Sequence, residues 1–313
     1  MESARATRAD LFDPANLAAL GRIEIVARWI VDGFMTGLHR SPRKGFSVEF
    51  ADHRPYQPGD DLRYIDWKIA ARSDRRVVKQ YEEETNLRAT IVLDVSRSMD
   101  WSGAEWMTGT RDAAARPLTK LAYAEQLAAA LALLFIRQRD AVGLVQFDEQ
   151  VRASIPPRAR SGQWRRIVAS LQHTSAGSTS HAARGLAQAA RLVRRRGMVI
   201  LISDLLMDVP DVAHALRGLR AAGHDVMVLH IMDAAERELP GSGEALFADP
   251  ESGLTVPASV ADVRAAYQET VNEVVAEWRS TLAGLGAGYE LVLTDAPFGL
   301  PLRRAFAARQ QAP

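Results

Sequence analysis

Asp94-Val95-Ser96-Arg97-Ser98-Met99 closes the apolar run Ala89-Thr90-Ile91-Val92-Leu93, and the fold turns on what these residues do. β-Branched and aliphatic residues in such a run prefer a buried strand, which delivers one acid and two hydroxyls into the next loop. Alone, Asp94, Ser96 and Ser98 fit helix capping equally well, since short side-chain oxygens take up free amides there. A second run, Met198-Val199-Ile200-Leu201-Ile202-Ser203, also ends on an acid, Asp204. Between them Ser175-Ala176-Gly177-Ser178-Thr179-Ser180 offers another hydroxyl on a small-residue loop, ahead of a helical pattern over 183–195. Two carboxylates and three hydroxyls suit a hard divalent cation, which takes oxygen ligands and keeps bound waters.

The series Asp94, Ser96 and Ser98 on one loop, Thr179 on a second and Asp204 on a third resembles the metal-ion-dependent adhesion site of von Willebrand factor A-type domains. That resemblance implies a site for Mg²⁺, or Mn²⁺ or Ca²⁺. With only two carboxylates the ion keeps an open position, which an acidic side chain of a partner protein fills.

The chain has 313 residues, 47% apolar and 25% charged, enough for one large domain or two small ones. A net charge of +1 provides no field that would recruit nucleic acid. Lysine occurs only at positions 44, 68, 79 and 120, and arginine supplies the other positive charges. Cysteine is absent, which removes disulfides, thiolate chemistry and cysteine-held metals. The start, 1–16, lacks the apolar core of a signal peptide. The apolar run 126–136 falls short of the ~20 residues a spanning helix needs. A cytoplasmic protein with no stable membrane insertion is expected.

Residues 17–38 place Leu20, Ile23, Val26, Ile30, Phe34 and Leu38 at helical spacing. A loop over 101–117, helices over 119–139, 163–171, 212–222, 260–285 and 302–308, and strands over 141–147, 151–155, 225–232 and 290–293 follow from periodicity and turn residues. A hairpin is expected near 244–257. Such alternation predicts an α/β fold with a doubly wound, mostly parallel sheet. In such a sheet ligands gather beyond the carboxyl ends of the strands where strand order reverses, which would bring Asp94 and Asp204 together.

Ahead of the first strand, an arm carries Arg54, Tyr56, Asp60, Asp61, Arg63, Asp66, Trp67 and Arg72. A turn at Gln57-Pro58-Gly59-Asp60 followed by structural ion pairs accounts for it as well as a partner interface does. The run from Glu49-Phe50 through Arg54-x-Tyr56-x-x-Gly59-Asp60-Asp61-x-Arg63-x-Ile65-Asp66-Trp67, with Ala71-Arg72, resembles the bacterial domain-of-unknown-function 58 family. The similarity continues through His230-Ile231-Met232-Asp233 and 289–295. It implies a von Willebrand factor A-like domain over 87–313, preceded by a helix and extended arm over 1–86, and a MoxR-type AAA+ ATPase as partner.

These observations favour a non-enzymatic, metal-dependent interaction module, an adaptor or chaperone-like partner of the ATPase. A metal-dependent phosphohydrolase using Asp94 and Asp204 is the alternative. No Gly-x-Ser-x-Gly elbow supports a serine hydrolase, although His173 and His181 flank the Thr179 loop. Arg191, Arg194, Arg195 and Arg196 fall in the expected last turn of the 183–195 helix, where positive charge complements the dipole without nucleic acid. Gly241-Ser242-Gly243 precedes no helix and no Walker pattern occurs, so nucleotide binding finds no support.

Overall fold

A computed structural model describes residues 22–39, 53–55, 77–79, 87–103, 118–177, 182–248, 255–299, 301–303 and 307. In chain order its elements are α1 (Ile23–His39), β1 (His53–Pro55), β2 (Val77–Lys79), β3 (Arg88–Asp94), α2 (Lys120–Arg137), β4 (Ala141–Phe147) and β5 (Val151–Arg158). Then come α3 (Gln163–Gln172), α4 (Ala183–Leu192), β6 (Met198–Ser203), α5 (Val209–Ala221) and β7 (Asp225–Met232). The chain continues through α6 (Ala234–Glu238), β8 (Glu244–Ala248), β9 (Thr255–Ser259), α7 (Val260–Gly284) and β10 (Gly288–Leu293). Two compact units result, one of Met1–Thr36 with Leu87–Pro313, the other Gly37–Asn86. Of the second, the described part is β1 paired antiparallel with β2, His53 opposite Lys79.

Six strands form the central sheet of the larger unit in the order β10-β7-β6-β3-β4-β5. Every pairing is parallel except the last, where β5 returns antiparallel beside β4. Counted within the sheet this is 3-2-1-4-5-6, so strand order reverses between β3 and β6. Both strands are buried along their length, which explains their unbroken apolar character: parallel strands covered on both faces show no alternation.

Helices cover both faces. On one, Leu186 and Ala189 of α4, Val212 and Leu216 of α5 and Trp278 and Leu282 of α7 pack on Val92, Val145, Val199, Leu201 and Val228 of the strands. On the other, α2 packs against β3 and β4. The Trp164 indole of α3 donates to the Ala129 carbonyl of α2 at 3.1 Å. The amphipathic stripe of α1 buries Val26, Ala27, Ile30 and Val31, while its Asp32 pairs with Arg137 of α2 at 2.6 Å. Gly143 lets β5 close on β4, since a Cβ there would lie 2.6 Å from the Ile155 carbonyl oxygen.

Two helix ends need correction, and one element was missed. Helix α4 ends at Leu192 rather than at 195: Val193 leaves helical geometry with ψ 86. Gly197 must slip under Arg88, where a Cβ would stand 2.1 Å from its carbonyl oxygen, so the chain needs 193–197 to turn into β6. Arg194, Arg195 and Arg196 therefore lie beyond the helix, and the Arg196 guanidinium donates to the Gly223 carbonyl at 3.1 Å. Helix α5 begins at Val209, three residues early, with Pro210 in its first turn. The short α6 was not foreseen, although Asp233-x-x-Glu236 is a capping box.

Candidate functional site

Pairing of β3 with β6 brings the two expected acids to adjacent strand ends. Asp94 is the last residue of β3 and Asp204 follows β6. Both are buried, at 1% and 4% exposure. One Asp94 oxygen accepts from the Ser96 amide at 2.9 Å, and the other from the Ser203 hydroxyl at 2.6 Å. The Ser96 and Ser98 hydroxyls lie 3.1 Å apart, and Ser98 also bonds to Asp204. The Leu206 amide donates to Asp204 Oδ1 at 3.2 Å. The single 3₁₀ turn Arg97–Asp100 after the first loop receives no side-chain cap from Ser96, whose hydroxyl is therefore not spent on capping.

Thr179 lies outside the described residues, but its loop is anchored within them. The Gly177 amide donates to the Val95 carbonyl at 2.7 Å, one residue from Asp94. Of the arm, Tyr56, Asp60, Asp61, Arg63, Asp66, Trp67 and Arg72 lie outside the described residues, and Arg54 is described only as backbone in β1.

Four partners of the site went unrecognised in the sequence. Lys120, the first residue of α2, is 1% exposed and holds Asp204 at 2.9 Å and Glu236 at 2.5 Å. A lysine at a helix amino terminus opposes the helix dipole, a discord the sequence did offer as a signal. Glu236 belongs to the capping box of α6, its other oxygen accepting from the Asp233 amide at 3.0 Å. Ser203 bridges, donating to Asp94 and accepting from the Leu205 amide at 3.0 Å. His230 stands opposite Ser203 on β7 and is hydrogen-bonded to the Tyr289 hydroxyl at 2.9 Å.

The electrostatics follow from this enclosure. Burial, then the field of Asp204, pushes the Asp94 carboxyl up to about 7. Burial pushes Asp204 up too, but the charge and hydrogen bond of Lys120, with hydrogen bonds from Ser98 and the Leu206 amide, together hold that carboxyl below the usual range. Desolvation pulls Lys120 down, yet Asp204 and Glu236 together raise it to about 12. His230 is lowered to about 4, chiefly by burial and further by Lys120, so its imidazole is neutral. The site thus contains one fixed cation and an Asp94 whose ionisation is disfavoured until more positive charge arrives.

Those donors fit a hard divalent cation. Asp94, Ser96 and Ser98 converge with spare oxygen lone pairs, and Asp204 adds charge from the neighbouring strand. Among the described residues no cluster of three or more histidine and carboxylate side chains could hold a metal, so the hydroxyls would have to contribute. Also among the described residues, no helix is long and apolar enough to cross a membrane.

Comparison with known proteins adds lineage. Uncharacterized protein Rv1480 of Mycobacterium tuberculosis H37Rv is 29% identical over 97% of this chain and 93% of its own length, as is Uncharacterized protein Mb1516 of Mycobacterium bovis. BatB from Bacteroides thetaiotaomicron is similar with a TM-score of 0.46 and 16% identity, covering 72% of this chain and 98% of that one. The SpRpn10 VWA domain gives 0.40 and 10%, covering 72% and 98%. A family match spans residues 52–277 and takes in both carboxylate-bearing strand ends, so the chain belongs to the family described as Protein of unknown function DUF58.

Proposed function

We propose that this chain is a divalent-metal-dependent protein-interaction module of the adhesion-site type, without catalytic activity of its own. One observation carries it: Asp94 and Asp204 stand at the ends of adjacent parallel strands at the strand-order reversal, beside the Ser96 and Ser98 hydroxyls. Asp94, Ser96 and Ser98 would hold the ion, with Thr179 from the loop anchored at Gly177 and Asp204 behind them. A bound Mg²⁺ or Mn²⁺ supplies an electrophilic position for a carboxylate from a partner protein. The chain's own residues prepare for this: Ser203 and the Ser96 amide orient Asp94, and Lys120 fixes Asp204. The family resemblance favours a MoxR-type AAA+ ATPase as partner, with the chain acting as its adaptor in the cytoplasm.

Calorimetric titration of Mg²⁺ and Mn²⁺ into metal-free protein tests the site. Saturable binding is expected in the parent and none in Asp94→Ala. At a hundredfold excess over the dissociation constant the ion should add about 2.7 kcal/mol to stability. Equal titrations of parent and variant would sink the proposal. Capture of a MoxR-type ATPase by the immobilised chain, lost with chelator and in Asp94→Ala, is the corresponding result for the partner.

A further inference from the structure

Immediately after Asp204 the backbone enters a conformation that leucine rarely adopts: Leu205 has φ +54. Its amide is held by the Ser203 hydroxyl at 3.0 Å, and its side chain is buried in the core. Leu206 is thereby turned outward, and it is 60% exposed. It shares the lining of a cleft of about 980 Å³ with Val274 of α7, 41% exposed, and with Trp278, the next turn of that helix, which is buried at 1% beneath them. The volume is at the top of the roughly 300–1,000 Å³ typical of binding sites. The rim is not neutral. Glu149, Asp208, Asp211 and Glu277 stand around it against the single guanidinium of Arg184, although the whole chain carries a net charge of +1.

We infer that this cleft docks an amphipathic segment of a partner protein that sets one or two large apolar side chains on Leu206 and Val274, above the buried Trp278, and flanks them with lysine or arginine. An apolar floor ringed by exposed carboxylates is complementary to a segment apolar on one side and cationic at its edges. With the backbone left-handed at Leu205 and that side chain committed to the core, Leu206 stays exposed. The cleft opens within two residues of Asp204, so one partner chain can reach it and the cation site together. The docking role rests on the interaction-module function proposed above and specifies the chemistry of the partner.

The probe is a dye-labelled synthetic helical peptide with leucine on one face and lysine on the other, beside a twin with glutamate at every lysine. Both are titrated into the full chain by fluorescence anisotropy with EDTA present throughout. Saturable binding of the lysine peptide is expected, weakened tenfold or more by Leu206→Ser, an exposed position, and by the pair Asp208→Lys with Glu277→Lys. The glutamate twin should bind that charge-reversed pair better than the parent. Equal binding to parent and Leu206→Ser, or a parent preference for the glutamate twin, would overturn the inference. So would binding that appears only after removal of 304–313, or a dimer of the parent that Leu206→Ser abolishes, because these assign the cleft to the chain's own tail or to a second copy. Since EDTA removes the ion, failure here is separate from failure of the cation titration.

Discussion

Lys120 is one of four lysines in the chain and is almost wholly buried, between Asp204 and Glu236. An ammonium fixed on one carboxylate of a cation site has two opposed effects. It relieves the repulsion that would otherwise keep Asp94 and Asp204 apart, and it competes with any ion that arrives. Lys120→Met should cost about 3–5 kcal/mol in metal-free protein, because the buried Asp204 and the half-buried Glu236 lose their partner. The same variant should bind Mn²⁺ more tightly than the parent. Urea unfolding with and without Mn²⁺ reads both, and a variant that is destabilised but gains no affinity would make Lys120 purely structural.

Asp94 and His230 give the site a pH signature with opposed signs. The Asp94 carboxyl rises from 3.8 to about 7, so between those values the folded chain keeps a proton that the unfolded chain releases. Its contribution to stability therefore falls as pH rises from about 4 to about 7. His230 drops from 6.5 to about 4. It is neutral in the fold while the unfolded chain is protonated, so its contribution is present above 6.5 and lost as pH falls toward 4. Each slope is limited to about 1.4 kcal/mol per pH unit, and over the shared window they partly cancel. Relative to the parent, metal-free Asp94→Asn should gain stability more steeply from pH 4.5 to 6.5, and His230→Gln should lose it. Three parallel profiles would contradict the assignment.

At the scale of elements, α4 matters because it follows the loop bearing Thr179. Gly185 seats it: a Cβ there would stand 1.9 Å from the Asp148 carbonyl oxygen, a backbone atom at the end of β4 that cannot swing aside. Gly185→Ala should destabilise by about 1–3 kcal/mol through overpacking. Gly218 in α5 meets nothing within 4 Å, so Gly218→Ala should stabilise by about 0.5–1 kcal/mol. Thermal melting of the two distinguishes packing from propensity. The contrast also marks what the sequence could convey. β3 and β6 were legible because continuous burial leaves an unbroken apolar run, and α7 because its helical pattern is long. The end of α4 was not, since it is imposed by the approach of Gly197 to Arg88, a contact between distant segments that periodicity does not register.

For the whole molecule, alternating strands and helices sufficed to predict a doubly wound sheet and to put Asp94 and Asp204 at its reversal point. Lys120, Glu236 and His230 join the site from α2, α6 and β7, and apart from the ill-placed lysine at the start of α2 no local pattern in those elements points to one another. Their roles follow from the three-dimensional closure of the sheet. That closure also sets a timetable. Ala89 of β3 pairs with Met198 of β6, more than a hundred residues further on, and until that pairing forms Asp94 does not have Asp204 beside it. During synthesis the amino-terminal half of the chain therefore leaves the ribosome with Asp94 but without Asp204. A partner of the proposed kind that waits for both acids would ignore nascent and truncated chains and engage only those that have finished folding, so the proposed site would double as a certificate of completion.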